Sequence, residues 1–193
     1  MPNGPEFKGF ENIGALSDEL ERQASIYEGL GVNKDIIMRL VAPRPNGLPE
    51  KLNIPVVTLG SSVDLGRQLS FAEIWPQYLD PTTGFDTSGG ITLESPHLIW
   101  MQDGEENLGK SVAWVRAHLK VNERPATLTD GIAFATVHSD IRGLLNKHQI
   151  HFPGTSIAKG NAPFLMYYRN ELCLSHYFIN TTIPNWGPAT SGG

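Results

Sequence analysis

The sequence predicts an α+β fold: a mainly antiparallel sheet built on a C-terminal hairpin, with helices from the N-terminus and middle of the chain packed on it. Three observations carry this expectation. Residues 162–179, APFLMYYRNELCLSHYFI, hold two aromatic-rich runs parted by Arg169-Asn170. Such residues suit a pleated surface, and asparagine tolerates the positive φ of a tight hairpin turn. The element order is helices, strand, loop, strand, helices, strands, which lacks the regular alternation of a doubly wound fold. Finally, 20 glycines and 14 prolines favour a loop-rich architecture over a helical bundle.

The N-terminal part, residues 1–42, is expected to be helical after a loose lead-in. Ser17 is a plausible N-cap, with Leu16, Leu20, Ala24, Tyr27 and Leu30 at helical spacing and Gly29 and Gly31 as a stop. Asn33 caps a second helix carrying Ile36, Ile37, Leu40 and Val41, which Pro43 ends. Residues 55–193 supply a sheet with its helices, and the whole chain is expected to form one domain. Residues 55–59, PVVTL, read as a strand. Leu69 to Trp75 read as a strand residue or two and then a turn. Residues 76–90, rich in Pro and Gly, read as a long surface loop.

HLIWMQ at 97–102 is the next strand. A helix is expected over 111–121, with Val112, Val115 and Leu119 inward and Arg116 and Lys120 toward water. Thr127 to Asp130 resemble a capping box before a helix through Val137, and Ser139 or Asp140 starts another. Gln149 to Phe152 form a short strand. In the hairpin, Leu172, Leu174, His176 and Phe178 share one face, the greasier, which is expected to meet helices; Cys173, Ser175, Tyr177 and Ile179 share the other. The tail places Trp186 on the core and then frays.

Composition bounds the function classes. A net charge of −5 without a basic face argues against a nucleic-acid binder. One cysteine gives no internal disulfide, no apolar run is long enough for a membrane span, and MPNGPEFKGF lacks a secretory pattern. The expectation is a cytoplasmic protein.

One motif is conspicuous. Gly104-Glu105-Glu106-Asn107-Leu108-Gly109-Lys110-Ser111 fits the phosphate-loop pattern, between an expected strand and an expected helix. In such a site the backbone amides wrap phosphates, Lys110 neutralises charge and Ser111 holds magnesium. Against it, Glu105 and Glu106 meet the polyanion, at roughly 4 kcal/mol for like charges in contact. No later strand ends in the required aspartate, and too few strands follow for a parallel sheet. Gly104, Gly109, Lys110 and Ser111 therefore stand as the alternative reading, a nucleotide-binding enzyme.

His148 and His151 have a metal-like spacing, but no Cys or carboxylate completes a set, and a partly exposed pair at a helix end is the expectation. Cys173 and His176 lie on opposite strand faces and do not form a thiol–imidazole pair. No G-x-S-x-G elbow is present. The carboxylates Glu94, Asp103, Glu105 and Glu106 read as a solvated edge. Trp100 and Trp114 are expected in the core, and for Trp186 lining a pocket near the C-terminus is the alternative to the core.

Four stretches, SDELERQASIYEGLG, ESPHLIWMQDGEEN, RPATLTDGIAFATVHSDI and APFLMYY…NWGPATS, resemble an uncharacterised bacterial family known only as a domain of unknown function. The resemblance covers most of the chain and thins between residues 43 and 90. It implies a bacterial cytoplasmic domain without an assigned reaction or nucleotide site, and it carries no functional residue. The leading expectation is a non-enzymatic or uncharacterised protein that binds a small molecule or a protein partner, with no cofactor or metal.

Overall fold

A computed structural model describes residues 12–76, 94–157 and 160–193. The helices are α1 (Ile13–Tyr27), α2 (Lys34–Met38), α3 (Leu65–Phe71), α4 (Val112–Ala117), α5 (Leu128–Val137) and α6 (Ile141–Leu145). The strands are β1 (Ile54–Thr58), β2 (Ile74–Pro76), β3 (His97–Gln102), β4 (Arg124–Pro125), β5 (Gln149–His151), β6 (Asn161–Tyr168), β7 (Glu171–Phe178), β8 (Trp186–Pro188) and β9 (Thr190–Gly192). They form two sheets, β1-β3-β9-β4 and β2-β7-β6-β5-β8. The first is antiparallel throughout, and the second has parallel pairs only at β2–β7 and β5–β8. The α+β class and the C-terminal hairpin are present as expected. The turn residues Arg169 and Asn170 adopt φ of 51° and 67°, the paired positive values that a two-residue turn needs.

Helix α5 joins the two sheets. It touches β1 of one and β6 of the other, and eight of its residues, among them Ile132, Phe134 and Val137, are buried. A helix buried around most of its circumference needs small residues for close approach, and Gly131, Ala133 and Ala135 supply them; a Cβ at Gly131 would overlap the Phe152 ring. Thr127 and Asp130 close its first turn as a capping box. One hydrophobic cluster runs from Leu16 to Ala189.

Helix α1 protects the outer edge of β1. The Gln23 side chain donates to the Pro55 carbonyl and accepts from the Val57 amide, both at 2.8 Å, so it replaces a neighbouring strand. The Tyr27 hydroxyl donates to the Val57 carbonyl at 2.7 Å. An edge strand whose polar groups are buried needs such partners. Gln23→Leu fills the same space but orphans a buried amide and carbonyl. It is expected to cost about 2–3 kcal/mol, read from urea unfolding.

Several expectations are corrected. Asn12, not Ser17, caps α1, its side chain accepting from Gly14. Leu65–Phe71 is a helix, capped by Asp64, where a strand residue or two and then a turn were expected over Leu69 to Trp75. The helix expected over 111–121 ends at Ala117. Arg116 does not face water; its guanidinium donates to the Pro153 carbonyl at 2.7 Å and to the Ser156 hydroxyl at 3.0 Å. Trp114 is 41% exposed and lies outside the core, whereas Trp100 is buried. Phe178, at the end of β7, is 59% exposed, whereas Leu172 and Leu174 of the same face are buried. The tail does not fray: β8 extends the second sheet and β9 is an inner strand of the first. The loop expected at 76–90 lies outside the described residues apart from Pro76, which closes β2.

Candidate functional site

Strand periodicity places Gln149 and His151 on one face of β5 and Ile150 on the other. Register adds Phe164 opposite His151 and Trp186 opposite Gln149. Ala162 faces Tyr177 across the hairpin on the same side. The result is an aromatic cluster around an imidazole. The His151 ring stacks on Phe164 at 4.8 Å and 12°, and meets Trp186 at 4.8 Å and 36°. Trp186 also stacks on Phe164 at 5.2 Å and takes the edge of Tyr177 at 5.0 Å. Tyr177 is 41% exposed and Trp186 half-buried, so these two rings form the solvent side of the cluster.

His151 is itself buried, and its Nε2 has no hydrogen-bond partner; neither does Gln149 Oε1. Burial pushes the His151 pKa down to about 3. The imidazole is therefore neutral at pH 7. It can donate or accept one hydrogen bond there but cannot exchange a proton near neutrality. His148 is buried too, contrary to the expected exposed pair, and its Nε2 donates to the Asp103 carbonyl at 3.1 Å.

This environment has a consequence for stability. Between about pH 6.5 and about 3 the unfolded chain binds a proton at residue 151 that the folded chain refuses, so stability falls as pH falls through that window. The expected slope from His151 is about 1.4 kcal/mol per pH unit, and full stability returns above pH ~6.5. Burial holds His138 below its ordinary value as well, which adds in the same direction. Urea melts across this range should show the slope, and His151→Phe should flatten it.

The Gly104–Ser111 segment packs against this site. Asn107 Nδ2 donates to the Pro188 carbonyl at 2.8 Å, and the Gly109 amide donates to the Trp186 carbonyl at 3.0 Å. Five further amides of the loop are engaged: Gly104 with Gln102 Oε1, Glu105 with Asp103 Oδ1, Asn107, Leu108 and Lys110 with carbonyls of the same turn. Ser111 Oγ caps α4 by accepting from the Trp114 amide at 3.0 Å. Lys110 Nζ lies 4.9 Å from the centre of the Trp114 ring. The segment thus works as a clamp that seats β8, and with it Trp186. Six of its eight amides are turned to protein carbonyls and side chains rather than toward a common anion site.

The remaining sequence candidates are dispersed. Cys173 is buried, and burial followed by the nearby Glu171 carboxylate raises its thiol pKa, which keeps it protonated. Cys173 and His176 pair with Met166 and Pro163 and face opposite sides, as expected. Among the described residues, no group of three or more His, Cys, Asp and Glu is placed to hold a metal. Glu105 and Glu106 are exposed, Asp103 partly so. Sequence reasoning missed Gln149, Phe164 and Tyr177 as members of one site. The i, i+2 spacing of Gln149 and His151 was a usable signal; the partners from β6, β7 and β8 depended on register.

Comparison of the chain with family models, with curated proteins and with solved structures finds no match.

Proposed function

We propose that this chain is a ligand-binding protein rather than an enzyme, and that its ligand is a small uncharged heteroaromatic molecule. The observation that carries this reading is the buried neutral His151, stacked on Phe164 and tilted against Trp186, with its Nε2 and the neighbouring Gln149 Oε1 unmatched. Buried polar atoms in native proteins are normally paired, and those that are not call for an explanation. A planar ligand with a polar edge would satisfy both atoms and would stack where the aromatic rings now meet one another. Entry requires Trp186 or Tyr177 to swing aside, at about 0.5–1.5 kcal/mol per ring contact. A depressed histidine and a protonated thiol support binding over acid–base or nucleophilic chemistry.

The test is a thermal-shift panel of nucleobases, nicotinamide and pterin compounds on the wild type, Trp186→Ala and His151→Phe. At least one compound should stabilise the wild type and neither variant. A panel without effect, together with native mass spectra free of any co-purified small molecule, would falsify the reading.

The nucleotide-binding alternative at Gly104, Gly109, Lys110 and Ser111 gains no support from the engaged amides. Millimolar Mg·ATP or Mg·GTP is expected to leave Tm unchanged. Stabilisation approaching about 2.7 kcal/mol at a hundredfold excess over Kd, abolished by Lys110→Ala, would restore that alternative. No described helix is long and apolar enough to cross a membrane. A cytoplasmic setting is part of this proposal and rests on the lone cysteine; kinship with the uncharacterised bacterial family rests on the four stretches quoted above.

A further inference from the structure

The two unmatched atoms beside the aromatic rings, Gln149 Oε1 and His151 Nε2, differ in what they ask of a partner. An amide oxygen only accepts. Burial keeps the His151 imidazole neutral, so it carries one N–H. In the commoner tautomer that proton sits on Nε2, which then only donates. One atom therefore calls for a donor and the other for an acceptor. Gln149 and His151 stand two residues apart on β5, so both side chains leave the same face of the sheet.

The surroundings hold this pair in place and leave it unanswered. β5 is paired on both sides, with β6 and with β8. The Gln149 amide donates to the Asn185 carbonyl at 2.9 Å, and the His151 carbonyl accepts from the Ala189 amide at 2.8 Å. The strand neighbours of His151 are Phe164 and Pro188, neither of which has a side-chain donor, and Pro188 has no amide hydrogen. Trp186, opposite Gln149, turns its ring onto His151 and Phe164. The amide donors that reach β8 are spent, since Gln102 Nε2 and Asn107 Nδ2 both donate to the Pro188 carbonyl, at 3.1 Å and 2.8 Å. A ring edge with acceptors alone would leave Gln149 Oε1 unpaired. An edge with donors alone would meet the imidazole N–H head on. We propose that the ligand of this site carries an N–H donor and an acceptor on one edge of a planar ring, as a lactam or an amino-azine does, with the N–H bonded to Gln149 Oε1 and the acceptor to His151 Nε2. This rests on the heteroaromatic reading above and narrows it: the aromatic cluster holds the ring, and Gln149 with His151 chooses among rings of equal area.

The experiment uses ¹⁵N-labelled full-length protein. Binding is read from the Trp186 indole N–H resonance, assigned through Trp186→Phe, and the tautomer from the imidazole nitrogen shifts of His151, assigned through His151→Phe. The probes are uncharged matched pairs. Carbostyril is the lactam and N-methylcarbostyril its capped form; aminopyrazine is the amino-azine and pyrazine the same ring without the donor. The expected results are a protonated His151 Nε2 at neutral pH and a saturable Trp186 shift with carbostyril or aminopyrazine. The partner lacking the donor should bind about tenfold more weakly or worse. Which pair responds distinguishes the lactam from the amine. Gln149→Met should erase the difference within that pair without lowering Tm of the free protein, because Oε1 has no bond to lose. A bare Nε2, equal binding within both pairs, or a preference that survives Gln149→Met overturns the proposal and leaves the heteroaromatic reading standing. No saturable shift with either donor-bearing probe also overturns it, whatever the broader thermal-shift panel shows for that reading.

Discussion

Asp130→Ala is expected to destabilise the protein by about 3–5 kcal/mol, the range for removing one partner of a buried ion pair. Asp130 is 1% exposed and its carboxylate serves three groups. It accepts from the Arg124 guanidinium at 2.8 Å, from the Thr127 amide at 2.9 Å and from the Ser191 hydroxyl at 3.4 Å. Alanine would strand the Arg124 guanidinium, whose side chain is only 19% exposed, and would undo half of the capping box of α5. The loss spreads because of where these groups lie. Arg124 belongs to β4, Ser191 to β9, and α5 joins both sheets. Asp130→Asn keeps an acceptor for Thr127 and removes the charge, so it should fall between wild type and alanine. Ser191→Ala, which removes only the longest of the bonds, should cost less than about 1 kcal/mol. Urea unfolding of the three variants checks the order. Equal effects of Asp130→Ala and Ser191→Ala would show that the ion pair contributes nothing.

Gly104→Ala should cost a similar amount, about 3–5 kcal/mol, from two separable causes. Gly104 and Gly187 meet backbone to backbone. A Cβ on Gly104 would stand 2.8 Å from the Gly187 carbonyl carbon and closer still to its oxygen; a Cβ on Gly187 would stand 2.7 Å from that of Gly104. Either alanine forces β8 off the clamp, and overpacking of this kind costs about 1–3 kcal/mol, sometimes more. Gly104 in addition holds φ of 100°, which an L side chain resists by about 1–2 kcal/mol. The Gly187→Ala variant carries the first cause without the second, so the difference between the two variants measures the backbone strain. Because β8 begins at Trp186, both should also weaken the Trp186–His151 contact. A reduced near-UV circular dichroism signal, at a temperature where the variants remain folded, is the readout. Wild-type stability in both would show that the clamp yields without cost.

The placement of these residues shows how far local pattern reaches. The hairpin was legible because β6 and β7 carry their own turn chemistry and dense apolar runs. α5 was legible because its cap and its apolar run are adjacent in sequence. α3 was missed because Leu65–Phe71 includes Gly66, Arg67, Gln68 and Ser70, a weak apolar pattern whose helix is fixed by Asp64 capping and by Gln68 donating to the Gly60 and Val63 carbonyls. Trp114 was misplaced because α4, at six residues, ends before the periodicity of 111–121 takes hold.

The fold class, the hairpin, the α5 cap and the opposed faces of Cys173 and His176 follow from near neighbours in the chain, since side-chain periodicity and turn conformation are local properties. The Gln23 edge cover, the seat of β9 between β3 and β4, the His151 cluster and the clamp beneath Trp186 were decided by tertiary structure alone. Each joins segments tens of residues apart. Which buried polar group meets which partner is set by the register and packing of whole strands, and no single stretch of sequence carries that information.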